Sequence, residues 1–95
     1  MNTIINKLNN RIKERKSFGS GGSYTAKLFN RGENVIIKKF GEEFTELVMA
    51  ASKNDKENFI CESADVIYHF LVLLNYLEID LGDIYSELQF RYETR

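Results

Sequence analysis

The sequence predicts an all-α fold, a helical bundle of four to five helices completed by dimerisation. Three observations predict it. Proline is absent from the 95 residues, so the strongest helix breaker is missing. Apolar residues recur at three- and four-residue steps over long segments. One segment is apolar at almost every position, more than a chain this short can enclose alone, and this implies a second copy. The length fits one domain spanning residues 1–95.

Residues 3–16 read as a first helix with Ile5, Leu8 and Ile12 on one side. Its far end, "RIKERK", is basic; it is either a solvated helix end or a contact for an anionic substrate. "FGSGGS", residues 18–23, reads as a linker or a mobile flap, because so much glycine and serine cannot hold a regular element. Ser23 is placed to cap a short helix and Gly32 to stop it.

The next helix covers about residues 33–53, with Ile36, Phe40, Phe44, Leu47, Val48 and Ala51 as its apolar face. Gly41 in its middle costs roughly 1 kcal/mol against Ala, so close backbone packing or ligand access is the expected reason for it. "KND" makes a turn, with Asn54 or Asp55 as the next cap. Residues 56–78 contain "VIYHFLVLL", which would also suit a buried strand. The breaker-free stretch 57–77 is too long for a typical strand, so a helix buried on nearly all sides is expected. Asp80 then caps a last helix carrying Leu81, Ile84, Tyr85 and Leu88.

Composition narrows the function. Hydrophobic residues at 43% and charged residues at 28% are ordinary for a folded soluble chain. A net charge of −1 does not suit a general nucleic-acid binder, so any phosphate-bearing ligand must be held locally by a few basic groups or by metal ions. Cys61 is the single cysteine, which precludes an internal disulfide and suits a reducing compartment. It is expected to be a small buried apolar residue rather than a nucleophile. The N-terminus lacks a signal peptide's apolar core, and no apolar run reaches the ~20 residues of a membrane span. A cytoplasmic protein without membrane attachment is the expectation.

The chemistry concentrates in acidic residues. Glu42, Glu43 and Glu46 crowd one helix, four residues after Lys38 and Lys39 in the first two cases, and the simplest reading is a row of i,i+4 ion pairs on a wet surface. Glu62, Asp65 and His69 change that reading. They form one stripe at steps of three and four along an otherwise apolar helix, where ionised groups need partners. Two antiparallel helices joined at Asn54 would set Glu43 and Glu46 opposite Glu62 and Asp65. Like charges at ~4 Å repel by about 4 kcal/mol at an effective dielectric of 20, so such a cleft takes up protons or recruits cations. With carboxylate ligands and no second His or Cys nearby, a hard ion such as Mg²⁺ or Mn²⁺ is favoured over zinc. The chemistry suggested is hydrolysis of a phosphoanhydride. No G-x-x-x-x-G-K loop is present, which excludes a P-loop mechanism.

"E-E-x-x-E" at residues 42–46 followed by "E-x-x-D" at 62–65 resembles the signature of the all-α nucleoside triphosphate pyrophosphohydrolases, which include MazG-type enzymes and dimeric dUTPases. "SYTAKLF" (23–29), "KKFGEEFTELVMAA" (38–51) and "ESADVIYHFLVLL" (62–74) sharpen this. Together they resemble the phosphoribosyl-ATP pyrophosphatase family of histidine biosynthesis over about residues 1–92. The resemblance implies Mg²⁺-dependent hydrolysis of phosphoribosyl-ATP to phosphoribosyl-AMP and pyrophosphate, with Mn²⁺ as a substitute ion. It implies Glu43, Glu46, Glu62 and Asp65 as metal ligands. Glu42 would orient or deprotonate the attacking water or act from behind the ligands, in a catalytic set with Glu43 and Glu46.

Lys27, Lys38 and Lys39 are candidates for phosphate contacts, or are exposed charges. His69 either reaches the substrate or is a core histidine bonded to a neighbour, and Tyr24 and Tyr68 line a nucleotide pocket or belong to the core. The stretch "GSGG" is more glycine-rich than the family pattern and lacks the proline often found near it. The cyclohydrolase of the following step, fused to this activity in some organisms, is expected on a separate protein. Two other readings compete: a house-cleaning (d)NTP pyrophosphohydrolase of the MazG or dUTPase kind, and a helical interaction module that uses the apolar "VIYHFLVLL" helix.

Overall fold

A computed structural model describes residues 3–17 and 23–95. Five helices follow one another: α1 (Ile4–Ser17), α2 (Tyr24–Arg31), α3 (Glu33–Ser52), α4 (Lys56–Tyr76) and α5 (Leu81–Thr94), with no strand among the described residues. The all-α expectation holds, and each expected helix is present. The linker assigned to residues 18–23 lies, apart from Ser23, outside the described residues.

Local chemistry sets the boundaries. Ser23 is extended, and its Oγ accepts from the Ala26 N–H at 3.0 Å, which starts α2. Gly32 has φ +90°, a conformation an L side chain rarely adopts; it ends α2 and turns directly into α3. Asn54 takes the left-handed conformation at φ 56°, where asparagine is better tolerated than most residues. The cap of α4 is therefore Asp55, whose Oδ1 accepts from the Asn58 N–H. Asp80 caps α5 by accepting from the Gly82 N–H at 2.9 Å.

The helices α3 and α4 form a hairpin across the short turn at 53–55, and α1 and α2 pack across its far end. There the core forms, from Ile12, Leu28, Ile36, Leu71, Val72, Leu74 and Leu81. Each fully buried aliphatic side chain contributes about 1.5–3 kcal/mol relative to exposure, so truncating Leu71 to alanine would cost about 2–5 kcal/mol. A buried polar pair registers α1 on α4. Asn75 donates from Nδ2 to Asn9 Oδ1 at 2.7 Å and to the Leu71 carbonyl at 2.8 Å. The Lys16 ammonium donates to the Asn75 carbonyl at 2.7 Å and lies 5.9 Å from the centre of the Phe29 ring.

Within one chain the C-terminal half of α4 is core, while Phe59, Ile60 and Ile67 are exposed. Two expectations are corrected. The expected apolar face of α3 is covered only in part. Ile36 is buried and Phe40 and Leu47 are half-buried, while Phe44, Val48 and Ala51 are exposed and Ala50 is buried instead. The physical reason is shared: α1 and α2 cover only the far end of the hairpin. Cys61 is exposed rather than buried, because it lies in that same uncovered half of α4. By length and composition alone α4 could cross a membrane, but its C-terminal half is the core of this bundle.

Candidate metal centre

The hairpin brings two acidic stripes together. Helix α3 presents Glu43 and Glu46 at an i,i+3 step, and α4 presents Glu62 and Asp65 at the same step, so each pair shares one helix face. Carboxylate oxygens of Glu43, Glu62 and Asp65, one from each, all lie within 4.8 Å of one another. Glu46 is outside that trio but adjacent to it, lining one depression with Glu43 and another with Glu62. Glu43 and Glu62 are half-buried and Asp65 is exposed, so the cluster opens to solvent on the Asp65 side.

The electrostatics show a site short of positive charge. Partial burial, a hydrogen bond with Glu46 and the charges of Glu46, Asp65 and Glu43 push the Glu62 carboxyl up to about 7. Burial, then the charges of Glu46 and Asp65 and a hydrogen bond with Glu46, also raise Glu43, while His69 acts in the opposite direction. Oε2 of Glu62 is screened from solvent and makes no hydrogen bond within the protein. A buried oxygen of this kind needs a proton or a cation.

These donors fit a hard divalent ion. All are carboxylate oxygens, the set Mg²⁺ and Mn²⁺ prefer. Ligand oxygens of an octahedral Mg²⁺ lie roughly 3–4 Å apart, given its ~2.1 Å bonds. The 4.8 Å limit on the trio is thus only a small side-chain movement from that spacing.

The remaining candidates separate into groups. Lys38, Lys39, Glu42, Glu43 and Glu46 line one open depression of about 680 Å³ along α3, together with Gly41 and Thr45. Gly41 has nothing within 4 Å of where a Cβ would stand, so close packing within the chain does not account for it. Glu42 is exposed on the depression and is not part of the trio. Among the described residues, ion pairs join Lys16 to Glu78 and Arg91 to Glu87, and none involves Lys38 or Lys39. Lys27 is exposed on α2 and does not line the depression.

His69 is buried, and Nδ1 donates to the Asp65 carbonyl at 2.9 Å. Nε2 is buried without a hydrogen bond. The core reading of His69 therefore holds for one nitrogen, while the other has no hydrogen-bond partner in the protein. Sequence reasoning missed Lys53 and Asn58, which line a smaller depression of about 260 Å³ with Glu46 and Glu62. Lys53 stands seven residues after Glu46, two helical turns along the same face, which is the signal that could have found it. It also missed Thr25, whose hydroxyl hydrogen-bonds the Tyr68 hydroxyl across helices.

Comparison with known proteins gives a consistent result. The family model described as phosphoribosyl-ATP pyrophosphohydrolase matches residues 5–92. A protein of Clostridium acetobutylicum named phosphoribosyl-ATP pyrophosphatase is 52% identical over 92 residues, covering 97% of this chain and 84% of the relative. One of the same name from Haloarcula marismortui is 46% identical over 87 residues, covering 90% of this chain and 89% of the relative. The histidine biosynthesis bifunctional protein HisIE of Caldanaerobacter subterraneus is 49% identical over 90 residues. This chain spans only 44% of that longer protein.

Proposed function

The chain belongs to the phosphoribosyl-ATP pyrophosphohydrolase family, and we propose that it hydrolyses phosphoribosyl-ATP to phosphoribosyl-AMP and pyrophosphate in histidine biosynthesis. Family membership and the Glu43–Glu62–Asp65 cluster carry this reading together.

Glu43, Glu62 and Asp65, joined by Glu46, would hold Mg²⁺, with Mn²⁺ as a substitute. Such an ion supplies charge neutralisation and Lewis-acid polarisation to the phosphoanhydride. The chain's own residues supply the rest. Glu42, exposed on the same depression, accepts the proton of the attacking water or orients that water. Water adds across the anhydride between the first and second phosphates, and pyrophosphate leaves. Lys38 and Lys39 line the depression where the phosphate chain would lie, and their ammonium groups would offset its charge. Lys27 and His69 complete the proposed substrate contacts: Lys27 as a phosphate contact from α2, and His69 as the ring beside Glu43.

The proposed protein is a single domain over residues 1–95 that works as a cytoplasmic homodimer, with neither nucleic acid nor membrane as a partner. The exposed side chains Phe44, Val48, Phe59 and Ile60 support the dimer, since an apolar surface on this half of the hairpin is what a second copy would cover. A substrate panel tests the function. Purified protein with Mg²⁺ should release pyrophosphate from phosphoribosyl-ATP far faster than from dUTP, dCTP or other dNTPs. A clear preference for a dNTP would instead assign it to house-cleaning.

A further inference from the structure

We propose that Tyr24 is the platform on which the adenine ring of the substrate stacks, so that this residue sets the preference for a nucleotide over a bare polyphosphate. The inference rests on the proposed function for the class of substrate.

Tyr24 opens α2, one helical turn before the fully buried Leu28. It therefore continues the buried stripe of that helix past the edge of the core, and it is 50% exposed. Its position is nonetheless fixed. Ser23 caps the helix beneath it, and the Thr25 and Tyr68 hydroxyls bond the first turn of α2 to α4. The Tyr24 ring lies 6.2 Å from that of Tyr68 at 28°, and meets the His69 ring edge-on at 6.3 Å and 79°. Tyr68 in turn stands edge-on to His69 at 5.0 Å. An exposed aromatic held by such neighbours loses little freedom when a ligand stacks on it.

Its place relative to the carboxylates gives the ring a use. His69 bonds the main-chain carbonyl of Asp65, a member of the acidic trio. One imidazole thus stands between Tyr24 and the turn that carries Asp65. In a nucleotide, one sugar separates the base from the innermost phosphate. With the phosphates drawn to the Glu43–Glu62–Asp65 side, the base falls toward α2, where Tyr24 presents an aromatic surface that a purine can stack on.

The test compares two probes that share a triphosphate chain and differ in the adenosine it carries: α,β-methylene-ATP and inorganic tripolyphosphate. Each is titrated with Mg²⁺ into wild type, Tyr24→Ala and Tyr24→Phe by calorimetry. Wild type should bind the nucleotide more tightly than tripolyphosphate. Tyr24→Ala should weaken the nucleotide by roughly 5- to 100-fold, the range for loss of one stacked base, and leave tripolyphosphate affinity as it was. Tyr24→Phe, which keeps the ring, should recover nucleotide binding. Equal weakening of both probes would show a merely structural role and overturn the proposal, as would unchanged nucleotide affinity or a wild type without preference for the base. Turnover is read separately. A wild type that binds the nucleotide through Tyr24 but does not hydrolyse phosphoribosyl-ATP would contradict the proposed function and leave the stacking site standing.

Discussion

The His69 ring donates from Nδ1 to the main-chain carbonyl of Asp65, one turn earlier, at 2.9 Å. A carbonyl only accepts, so Nδ1 carries a proton, while Nε2 is buried and without a hydrogen bond in the protein. The bond also couples the ring to the turn that carries a proposed metal ligand. His69→Phe keeps the ring and removes both nitrogens. It should cost about 1 kcal/mol of stability through the lost hydrogen bond and weaken Mg²⁺ binding roughly tenfold, as removal of groups behind metal ligands does. Urea melts and a calorimetric Mg²⁺ titration check the two effects; unchanged metal affinity would remove His69 from the site.

The acidic residues should behave as ligands, not as structural groups. Glu62→Gln and Asp65→Asn each relieve repulsion among the carboxylates, so the metal-free protein should melt at the same temperature or higher. Both variants should lose the upward melting shift that millimolar Mg²⁺ gives wild type, and turnover should fall by at least about 10²-fold. Retention of the Mg²⁺ shift in both would contradict the assignment.

Stability should depend on pH in a defined direction. The Glu62 carboxyl is raised from 4.5 to about 7 in the folded chain. A carboxyl with a raised folded pKa binds its proton more tightly folded than unfolded. Its contribution to stability is therefore complete below 4.5 and is lost as pH rises through about 7. Without divalent ions, the melting temperature should drop across this window, and Glu62→Gln should flatten the drop. Saturating Mg²⁺ should reverse the trend, because the ion binds the deprotonated cluster.

The uncovered half of the hairpin should be an interface between two copies. Val48 is 52% and Ile60 59% exposed, values that a monomer would leave as an apolar surface in water. Sedimentation at micromolar concentration should give the mass of a dimer, and Val48→Glu with Ile60→Lys should shift it toward monomer. A wild-type monomer mass would contradict the interface.

Much of this was legible in the sequence, for identifiable reasons. Ser23, Gly32 and Asp80 mark helix ends through chemistry confined to three or four residues. The meeting of Glu43 with Glu62 and Asp65 follows from helical periodicity and a short turn, both local. What could not be read depends on which neighbour covers which surface. Phe44 and Val48 follow the apolar period of α3 yet lie beyond the reach of α1 and α2. The Asn9–Asn75 and Thr25–Tyr68 hydrogen bonds join residues 66 and 43 positions apart, and no pattern within a helix announces them.

Phosphorus NMR of a reaction with phosphoribosyl-ATP and Mg²⁺ is the most direct test. The expected spectrum shows pyrophosphate and phosphoribosyl-AMP growing in equal amounts, and neither product forming when the ion is chelated or when Glu62→Gln replaces wild type. Release of single phosphates, or pyrophosphate formation that survives both chelation and the substitution, would contradict hydrolysis at this cluster.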